Sequence, residues 1–285
     1  DKHHVLRDFL LVGQEVGVSD WIVKRGLKNT FRFSPGFGGC VSDGIQAISA
    51  LNKAKGNPAK SVVLVHESSE FGASTTKLVR EQLPSIGLEV KDVIAHDTPT
   101  RSFDNVAMRI RSLAPELVMH TGYQNEYLLL ARTLHRFKID VTSFSILGGG
   151  FNAKLVREVP EAATYMLDFN HWYNPKNSQV APLKARTQAI KMDFIFEIYC
   201  AYNSVMLLAD ALERAGKVDN DAICASLAAS TWDGHFMPYG PTKFVDGQNQ
   251  GGRGVALQVL DGEIKVVLPE QFAEADAVFL RPKRG

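Results

Sequence analysis

The sequence lacks several features that identify common classes of protein. It has 285 residues and a formal net charge of +1, so its overall charge gives no reason to expect binding to nucleic acid or to an anionic membrane. No apolar run approaches the ~18 residues of a membrane-spanning helix. There is no signal-peptide pattern at its start, although mature secreted chains lack one too. The length allows two domains of ~150 residues each.

Cysteine and metal-ligand patterns are also sparse. The three cysteines, Cys40, Cys200 and Cys224, have no Cys-x-x-Cys spacing, and we interpret them as small apolar residues of the interior. A disulfide between two of them has no support in the sequence. The eight histidines show no metal-ligand spacing. The sequence therefore predicts neither a metal nor a cofactor.

Motifs of catalysis are missing as well. His66 lies beside Glu67 and Ser68-Ser69, but adjacent residues on one loop do not make a catalytic triad, and no Gly-x-Ser-x-Gly elbow is present. The Gly148-Gly149-Gly150 run does not match Gly-x-Gly-x-x-Gly, and no phosphate-binding Lys-Ser/Thr follows it. We therefore do not expect an enzyme.

What the sequence does contain is a repeated strand–loop–helix pattern. Val62 to Val65 are four consecutive β-prone aliphatic residues, typical of a strand that is buried on both faces. A polar stretch follows at 66–70, and a helical pattern continues to Leu83. Similar units recur to about residue 160, which predicts a doubly wound parallel sheet. Ligands of such sheets bind at the carboxyl ends of the strands.

Three predicted elements matter for the comparison with the structure. A Gly- and Pro-rich break at 34–39 precedes a helix predicted from Val41 to Lys55. A strand is predicted from Thr164 to Phe169. Residues 255–260 and 263–268 are predicted to form a hairpin around Asp261-Gly262.

Six segments, taken together, resemble the type I periplasmic solute-binding proteins of the branched-chain amino acid receptor group. They are TFRFSP (30–35), SVVLVHESSEFG (61–72), LAPELVMHTGY (113–123), YNSVMLLADALERAG (202–216), STWDGHFMPYGPTKFVDGQ (230–248) and IKVVLPEQFAEA (264–275). One departure is Asn203, which stands where the family usually has Asp. The order and spacing of the segments cover almost the whole chain, and this makes the resemblance specific.

The resemblance implies an α/β fold, the type I periplasmic-binding-protein fold, with two Rossmann-like lobes built on parallel sheets. A hinge of three crossovers joins the lobes, which close on a small ligand in the cleft. Lobe one is expected at 1–35 and 172–250, and lobe two at 36–171 and 251–285. Family members carry further residues before the point where this sequence begins, so lobe one is expected to be incomplete.

The resemblance also implies which residues bind the ligand. Gly17, Val18 and Ser19 fall on a lobe-one loop whose backbone N–H groups and hydroxyl can donate to a carboxylate. An ordinary helix cap by Ser19 is the alternative. Phe71 is implied as an aromatic wall of the cleft, with core packing as its alternative, and Tyr123 as a ring that faces the ligand.

Two further aromatic residues, Trp172 and Phe196, are implied as lining residues, although an aromatic on a long apolar helix also fits the core. The family often places a Glu after the fourth strand of lobe two, to pair with the α-ammonium of an amino acid. Here that position falls in the glycine run, with Gly149 at its centre, and Phe151 beside it suits a flat ring.

Three other acids are candidates for pairing with an ammonium: Glu15, Glu67 and Glu70. Their alternative is solvated charge on a loop. An unpaired buried ammonium is unfavourable by several kcal/mol. The solute is therefore expected to be either a branched-chain or related amino acid, or an aromatic or aliphatic carboxylate that lacks an amine.

The function implied by the resemblance is that of a monomeric periplasmic receptor. It binds a small organic solute and delivers it to the membrane permease of an ABC importer, with no nucleic-acid partner. The alternative is a ligand-sensing ectodomain of a signalling receptor with the same fold.

Overall fold

The computed structural model describes residues 11–13 and 21–283. The contacts divide the chain into two compact units. Unit 1 comprises Asp1–Gly39 and His171–Gly254, and unit 2 comprises Cys40–Asn170 and Val255–Gly285. The chain therefore passes between the units three times, at 39/40, 170/171 and 254/255.

The strands and helices alternate through most of the described chain. The strands are β1 Leu11–Gly13, β2 Thr30–Arg32, β3 Ser61–Glu67, β4 Glu89–His96, β5 Leu117–Thr121, β6 Thr142–Ile146, β7 Leu167–Asn170, β8 Phe244–Val245, β9 Gln248–Asn249, β10 Val255–Leu260 and β11 Glu263–Leu268. The helices are α1 Trp21–Lys24, α2 Phe37–Ala54, α3 Glu70–Gln82, α4 Asp104–Leu113, α5 Gln124–Arg136, α6 Ala153–Glu158, α7 Pro160–Ala163, α8 Val180–Ala189, α9 Phe196–Ala215 and α10 Asn220–Ala228.

Unit 2 is organised around one sheet with the strand order β11-β10-β7-β6-β5-β3-β4. The strands from β7 to β4 in this order are parallel to their neighbours, while β10 is antiparallel to β7 and β11 is antiparallel to β10. The chain runs from β3 out to β4 and then returns to the other side of β3 as β5. This reversal places a topological switch point between β3 and β5, where ligands bind in open α/β sheets.

The sequence forms this sheet because its central strands are continuous apolar runs. In β3, Ser61 to Val65 are all buried, as the four aliphatic residues of that run predict. On one face, Val63, Val65 and Val118 pack against Phe103 and Ile110 and a further set of aliphatic residues from α4, α5 and the loop after it. Burial of such side chains contributes ~25 cal/mol per Å2 of apolar area.

Unit 1 contains a smaller sheet with the order β1-β2-β9-β8. β1 pairs with β2 in parallel, β2 pairs with β9 in parallel, and β9 pairs with β8 in the antiparallel sense. The long helix α9 buries Tyr199, Cys200, Asn203, Leu207 and Ala211 along one side. No helix in 21–283 is long and apolar enough to cross a membrane.

Two predicted boundaries were wrong, and the hairpin was confirmed. Helix α2 begins at Phe37 and so includes Gly38 and Gly39, since burial of Phe37 outweighs the low helix propensity of glycine. The predicted strand from Thr164 begins only at Leu167, because Tyr165 takes a left-handed conformation with φ 67° and donates its N–H to Val259. β10 and β11 pair around Asp261-Gly262 as predicted.

The three cysteines are free thiols in the structure. Cys40 and Cys200 are buried, which confirms their interpretation as interior residues, whereas Cys224 is only half-buried. Burial raises the pKa of the Cys200 thiol, and the carboxylate of Glu197 adds to this effect. A thiol with a raised pKa is a poor nucleophile.

Candidate functional site

The carboxyl ends of β3, β5 and β6 bring three loops of unit 2 to the same edge of the sheet. These loops are 68–69 after β3, 122–123 after β5 and 147–152 after β6. Because β3 and β5 flank the switch point, this edge is where the fold favours a ligand. Three residues expected at the site, Phe71, Tyr123 and Gly149, lie at the start of α3 and on these loops.

Glu67 ends β3, and its carboxylate closes the first of these loops. One oxygen accepts from the Ser69 N–H at 2.6 Å, and the other accepts from the Ser69 hydroxyl at 2.7 Å and from the Gly72 N–H at 2.6 Å. The side chain therefore satisfies backbone donors at the amino end of α3, where a negative charge is also favoured by the helix dipole. Glu67 is 1% exposed, and its carboxylate is already hydrogen-bonded within its own loop.

Glycine is needed at position 72 because Glu67 approaches the backbone there closely. A Cβ added at Gly72 would lie 2.2 Å from the backbone oxygen of Glu67 and 2.7 Å from its Oε1. Only glycine leaves room for so close an approach. The Glu67–Gly72 contact thus sets the position of Phe71, the residue before Gly72.

Phe71 and Tyr123 form an aromatic pair at the carboxyl edge. Their ring centroids lie 5.8 Å apart with the planes inclined at 39°. Tyr123 is 46% exposed and precedes α5, and its hydroxyl lies 3.5 Å from the Ser69 hydroxyl. The structure therefore presents one apolar surface and two hydroxyl groups together at this edge.

The glycine run after β6 packs against the corner that carries Tyr123. A Cβ added at Gly149 would lie 2.5 Å from the Gly122 carbonyl oxygen, and one at Gly150 would lie 2.4 Å from the Tyr127 Cβ. Phe151 is 2% exposed and lies in the interior of unit 2. The run is therefore close-packed, and an acidic side chain at position 149 requires the Gly122-Tyr123 corner to move.

A buried polar network lies beneath this edge. His96 at the end of β4 donates its Nδ1–H to the Asp97 carbonyl at 2.9 Å, so in the neutral ring its Nε2 accepts from the His120 Nε2, which lies 2.9 Å away. The His120 ring stacks on Tyr127 with centroids 5.5 Å apart, and the Tyr127 hydroxyl donates to Ser145 at 3.1 Å. Each ring thus has a fixed neighbour.

A small cavity borders the same network. It has a volume of about 20 Å3, and its polar lining residues are His120, Tyr127, Ser143 and Arg281. A volume of this size holds about one water molecule. It is too small for an amino acid or an aromatic carboxylate, so this cavity is not the solute site.

Two titratable groups of unit 2 have pKa values that are strongly shifted in opposite directions. Burial, together with the nearby His96 and His66, lowers the pKa of His120 to about 3. Burial also raises the pKa of Asp168, on β7, to about 7, and hydrogen bonds from Asn170 and Gly148 offset this only in part. At neutral pH the His120 ring is therefore uncharged.

These shifts predict opposite pH dependences of stability for two variants. The unfolded state binds the His120 proton below pH 6.5, so this group removes stability as the pH falls from 6.5 towards 3. The folded state binds the Asp168 proton more tightly than the unfolded state does, so this group adds stability as the pH falls from 7 towards 3.8.

Urea denaturation of two variants measures these effects. Between pH 4 and pH 6.5, we expect the difference in the free energy of unfolding between variant and wild type to change by about 1.4 kcal/mol per pH unit. Relative to wild type, His120→Gln gains stability on acidification and Asp168→Asn loses it. The prediction is contradicted if stability relative to wild type changes with pH in the same direction in both variants.

The remaining expected residues lie in unit 1 or outside the described residues. Trp172 is buried and stacks on Tyr173, with centroids 5.1 Å apart, and Phe196 begins α9 half-buried. The Tyr199 hydroxyl donates to the His171 carbonyl at 3.1 Å, which ties α9 to the segment before Trp172. Glu15, Gly17, Val18 and Ser19 lie outside the described residues.

Several residues of the edge were not expected from the sequence. They are Ser69, His96, His120, Tyr127, Asp168 and Asn170. Polar side chains in otherwise apolar strands were the available signal, as in MHT at 119–121 and LDFN at 167–170, since a buried polar group needs a specific partner. The identity of each partner depends on which strands are adjacent.

Comparison with known proteins identifies the family. A family model described as periplasmic binding protein matches residues 15–263. This match covers most of the chain, and the chain therefore belongs to the periplasmic binding protein family. The resemblance inferred from the sequence motifs is thereby confirmed.

One curated relative is the leucine-, isoleucine-, valine-, threonine- and alanine-binding protein of Pseudomonas aeruginosa, which is 22% identical over 180 residues. The match covers 61% of this chain and 47% of the relative, so the chain aligns with less than half of that protein.

Two solved structures show the same fold. A putative branched-chain amino acid ABC transporter protein from Silicibacter pomeroyi superimposes with a TM-score of 0.81 at 12% identity, covering 96% of this chain and 76% of that one. A solute-binding protein of an ABC transporter from R. palustris, solved in complex with benzoate, gives a TM-score of 0.71 at 18% identity, covering 88% and 67%. The expected type I periplasmic-binding-protein fold is confirmed.

Proposed function

We propose that this protein is the periplasmic solute-binding receptor of an ABC importer and passes a small organic solute to a membrane permease. Its membership of the periplasmic binding protein family supports this class. The relatives are named as binding proteins and transporter components, which supports a role in binding rather than catalysis. The proposal commits to one class of solute, an aromatic or aliphatic carboxylate without an amine.

The observation that carries the choice of solute is the chemistry of the carboxyl edge of unit 2. Phe71 and Tyr123 offer an apolar surface that suits a ring or a hydrocarbon chain. The glycine run, with Gly149 at its centre, falls where the resemblance to amino acid receptors implies an acid that pairs with the ammonium. An acid cannot be accommodated there without displacing Gly122, whose carbonyl oxygen would lie 2.5 Å from the new Cβ.

Two of the acids near this edge, Glu67 and Asp168, are poor partners for an ammonium. Glu67 already accepts three hydrogen bonds from its own loop, and Asp168 is fully buried beneath Gly148. Glu70 is exposed in the first turn of α3 and is the remaining candidate among the described acids discussed above. An ammonium that binds at this edge without a carboxylate loses solvation without compensation.

A panel of solutes tests this proposal by thermal unfolding of the intact protein. Benzoate and short aliphatic monocarboxylates are expected to raise the melting temperature, whereas leucine and valine are not. A ligand at one hundred times its Kd adds ~2.7 kcal/mol to the free energy of unfolding. For a chain of this size that corresponds to a shift of several degrees.

Two variants locate the bound solute. Tyr123→Ala should abolish the shift with benzoate because the ring is lost, while Tyr123→Phe should retain most of it. A shift with leucine that disappears in Glu70→Gln would overturn the assignment to carboxylates without an amine. No shift with any amino acid or carboxylate would overturn the receptor function itself.

A further inference from the structure

Two side chains of β7 hydrogen-bond to the backbone of Gly148, one to its N–H group and the other to its carbonyl. Asp168 Oδ1 accepts from the Gly148 N–H at 3.1 Å, and Asn170 Nδ2 donates to the Gly148 carbonyl at 3.2 Å. The same Asn170 amide donates to Asp168 Oδ2 at 2.7 Å. The three groups form a closed arrangement that we call the Gly148 clamp, and all three residues are buried.

The clamp fixes the loop that carries Gly149. A Cβ added at Gly148 would lie 3.1 Å from the Tyr127 ring and 3.2 Å from the Asp168 carboxyl carbon, so Gly148 fills the gap between them. The next residue, Gly149, lies against the Gly122 carbonyl and the Tyr123 backbone. The position of Gly148 therefore determines how the loop packs on the corner that presents Tyr123.

Backbone strain next to the clamp is an independent observation. Leu147 has φ 57°, a left-handed conformation that is unfavourable for a side chain of this kind. Its N–H donates to the Phe169 carbonyl at 2.9 Å, between the two clamp residues of β7. A strained residue persists only where its surroundings hold it, and such residues cluster at ligand sites.

We propose that Asp168 and Asn170 are positioning residues of the ligand site, and that protonation of Asp168 releases their hold on Gly148. The inference rests on the proposed function only in assigning the solute to this edge. The clamp itself can be measured without any solute.

The donors and acceptors of the clamp explain why protonation releases it. An ionised Asp168 accepts on both oxygens, which matches the N–H of Gly148 and the amide of Asn170. A proton on Oδ2 weakens that oxygen as an acceptor for Nδ2, and the new O–H group needs an acceptor of its own, which the Asn170 side-chain oxygen supplies only in the opposite amide orientation. The conflict is relieved when the Asn170 amide turns over, and the bond from Nδ2 to the Gly148 carbonyl is then lost.

Burial has the largest effect on the Asp168 carboxylate, and the hydrogen bonds that its oxygens accept oppose that effect only in part. Burial raises its pKa to about 7. Of the neighbouring elements, β6 places Ser145 opposite it and β10 places Leu257 opposite it. The titratable or charged groups nearby are Tyr127 on α5, His120 and His96 behind that ring, and Arg281, which lines the cavity beside Tyr127. Burial raises the pKa of Tyr127 above its usual range and lowers that of His120, so neither of these two neighbours changes charge near pH 7, where Asp168 does.

The test is a pH titration of the Gly148 amide by NMR, in solute-free protein labelled with 15N-glycine. We expect the Gly148 signal to move between pH 5 and pH 9 with a midpoint near 7, and to be independent of pH in Asp168→Asn. Asp261→Asn makes the same change of charge in the exposed turn between β10 and β11 and should leave the titration unchanged. A Gly148 signal that does not move in the wild type, or that still titrates in Asp168→Asn, would overturn the proposal.

Two further readouts separate positioning from simple structural support. Asp168→Asn should raise the melting temperature at pH 8, because it removes a buried charge, while it accelerates hydrogen exchange of the Gly148 amide. Asn170→Ala should accelerate the same exchange without abolishing the titration.

Binding of benzoate is the second readout. We expect Asp168→Asn to bind benzoate about tenfold more weakly than the wild type at pH 8, which equals about 1.4 kcal/mol. If benzoate does not bind the wild type, the proposed solute class fails, while the amide titration still tests the clamp. Unchanged exchange in both variants would contradict the positioning role.

Discussion

Replacing Glu67 by glutamine is expected to lower the free energy of unfolding by about 2–4 kcal/mol. The carboxylate accepts two backbone N–H groups and one hydroxyl at 2.6–2.7 Å, and each bond is assisted by the charge. A glutamine keeps the shape but turns an NH2 group towards donors, so at least one of them loses its acceptor. Urea denaturation at pH 7 measures the effect. A domain is stable by only 5–15 kcal/mol, so this is a large loss.

Glu70→Gln is the matched control for this experiment. Glu70 is an acid in the first turn of the same helix, but it is exposed. Its replacement should change the stability by only about 0.5 kcal/mol, through the helix dipole. If Glu67→Gln keeps wild-type stability and instead weakens the binding of an amino acid such as leucine, then Glu67 pairs with an ammonium and its role in the loop is wrong.

Replacing Gly150 by alanine is expected to destabilise unit 2 by about 2–3 kcal/mol. The added methyl group would lie 2.4 Å from Cβ and 2.7 Å from Cγ of Tyr127. Tyr127 is 1% exposed, stacks on His120 and donates to Ser145, so it has little freedom to move away. Chemical denaturation measures the loss, and an unchanged slope against denaturant shows that the extent of unfolding is the same.

Gly39→Ala provides the control for Gly150→Ala. Gly39 lies in α2, and a Cβ added there meets nothing within 4 Å. Alanine is favoured over glycine in a helix by roughly 0.5–1 kcal/mol, so this variant should be as stable as the wild type or more so. Equal stability of Gly150→Ala and the wild type would show that the glycine run yields readily, and the packing argument against an acid at position 149 would fail with it.

Much of unit 2 follows from local sequence patterns. Continuous runs of β-branched and other aliphatic residues such as Val62 to Val65 favour buried strands, and helical periodicity marks the segments between them. Polar residues after each strand indicate the ligand edge, and the family motifs lead to Phe71 and Tyr123. The structure brings these two rings within 5.8 Å of each other. Their role in binding a solute stays a prediction.

The sequence pattern was weaker where a residue depends on a distant partner. Glu67 was a candidate for an ammonium partner because it follows a strand, and only the return of the chain to Gly72 shows that its carboxylate is occupied. Phe151 was expected beside a flat ring, but it lies in the interior. Tyr165 reads as part of a strand, yet its left-handed conformation delays the strand to Leu167.

The sequence by itself determined the family, the alternation of strands and helices and the edge at which a ligand is sought. These follow from periodicity and from short motifs, because the side chains involved lie within a few residues of one another. Only the tertiary structure decided that Asp168 and Asn170 hold Gly148, which is twenty and twenty-two residues away from them, and that His120 of β5 meets His96 of β4 over the intervening strand β3. Such contacts depend on the strand order, since parallel strands bring together residues whose separation in the sequence carries no signal of their contact.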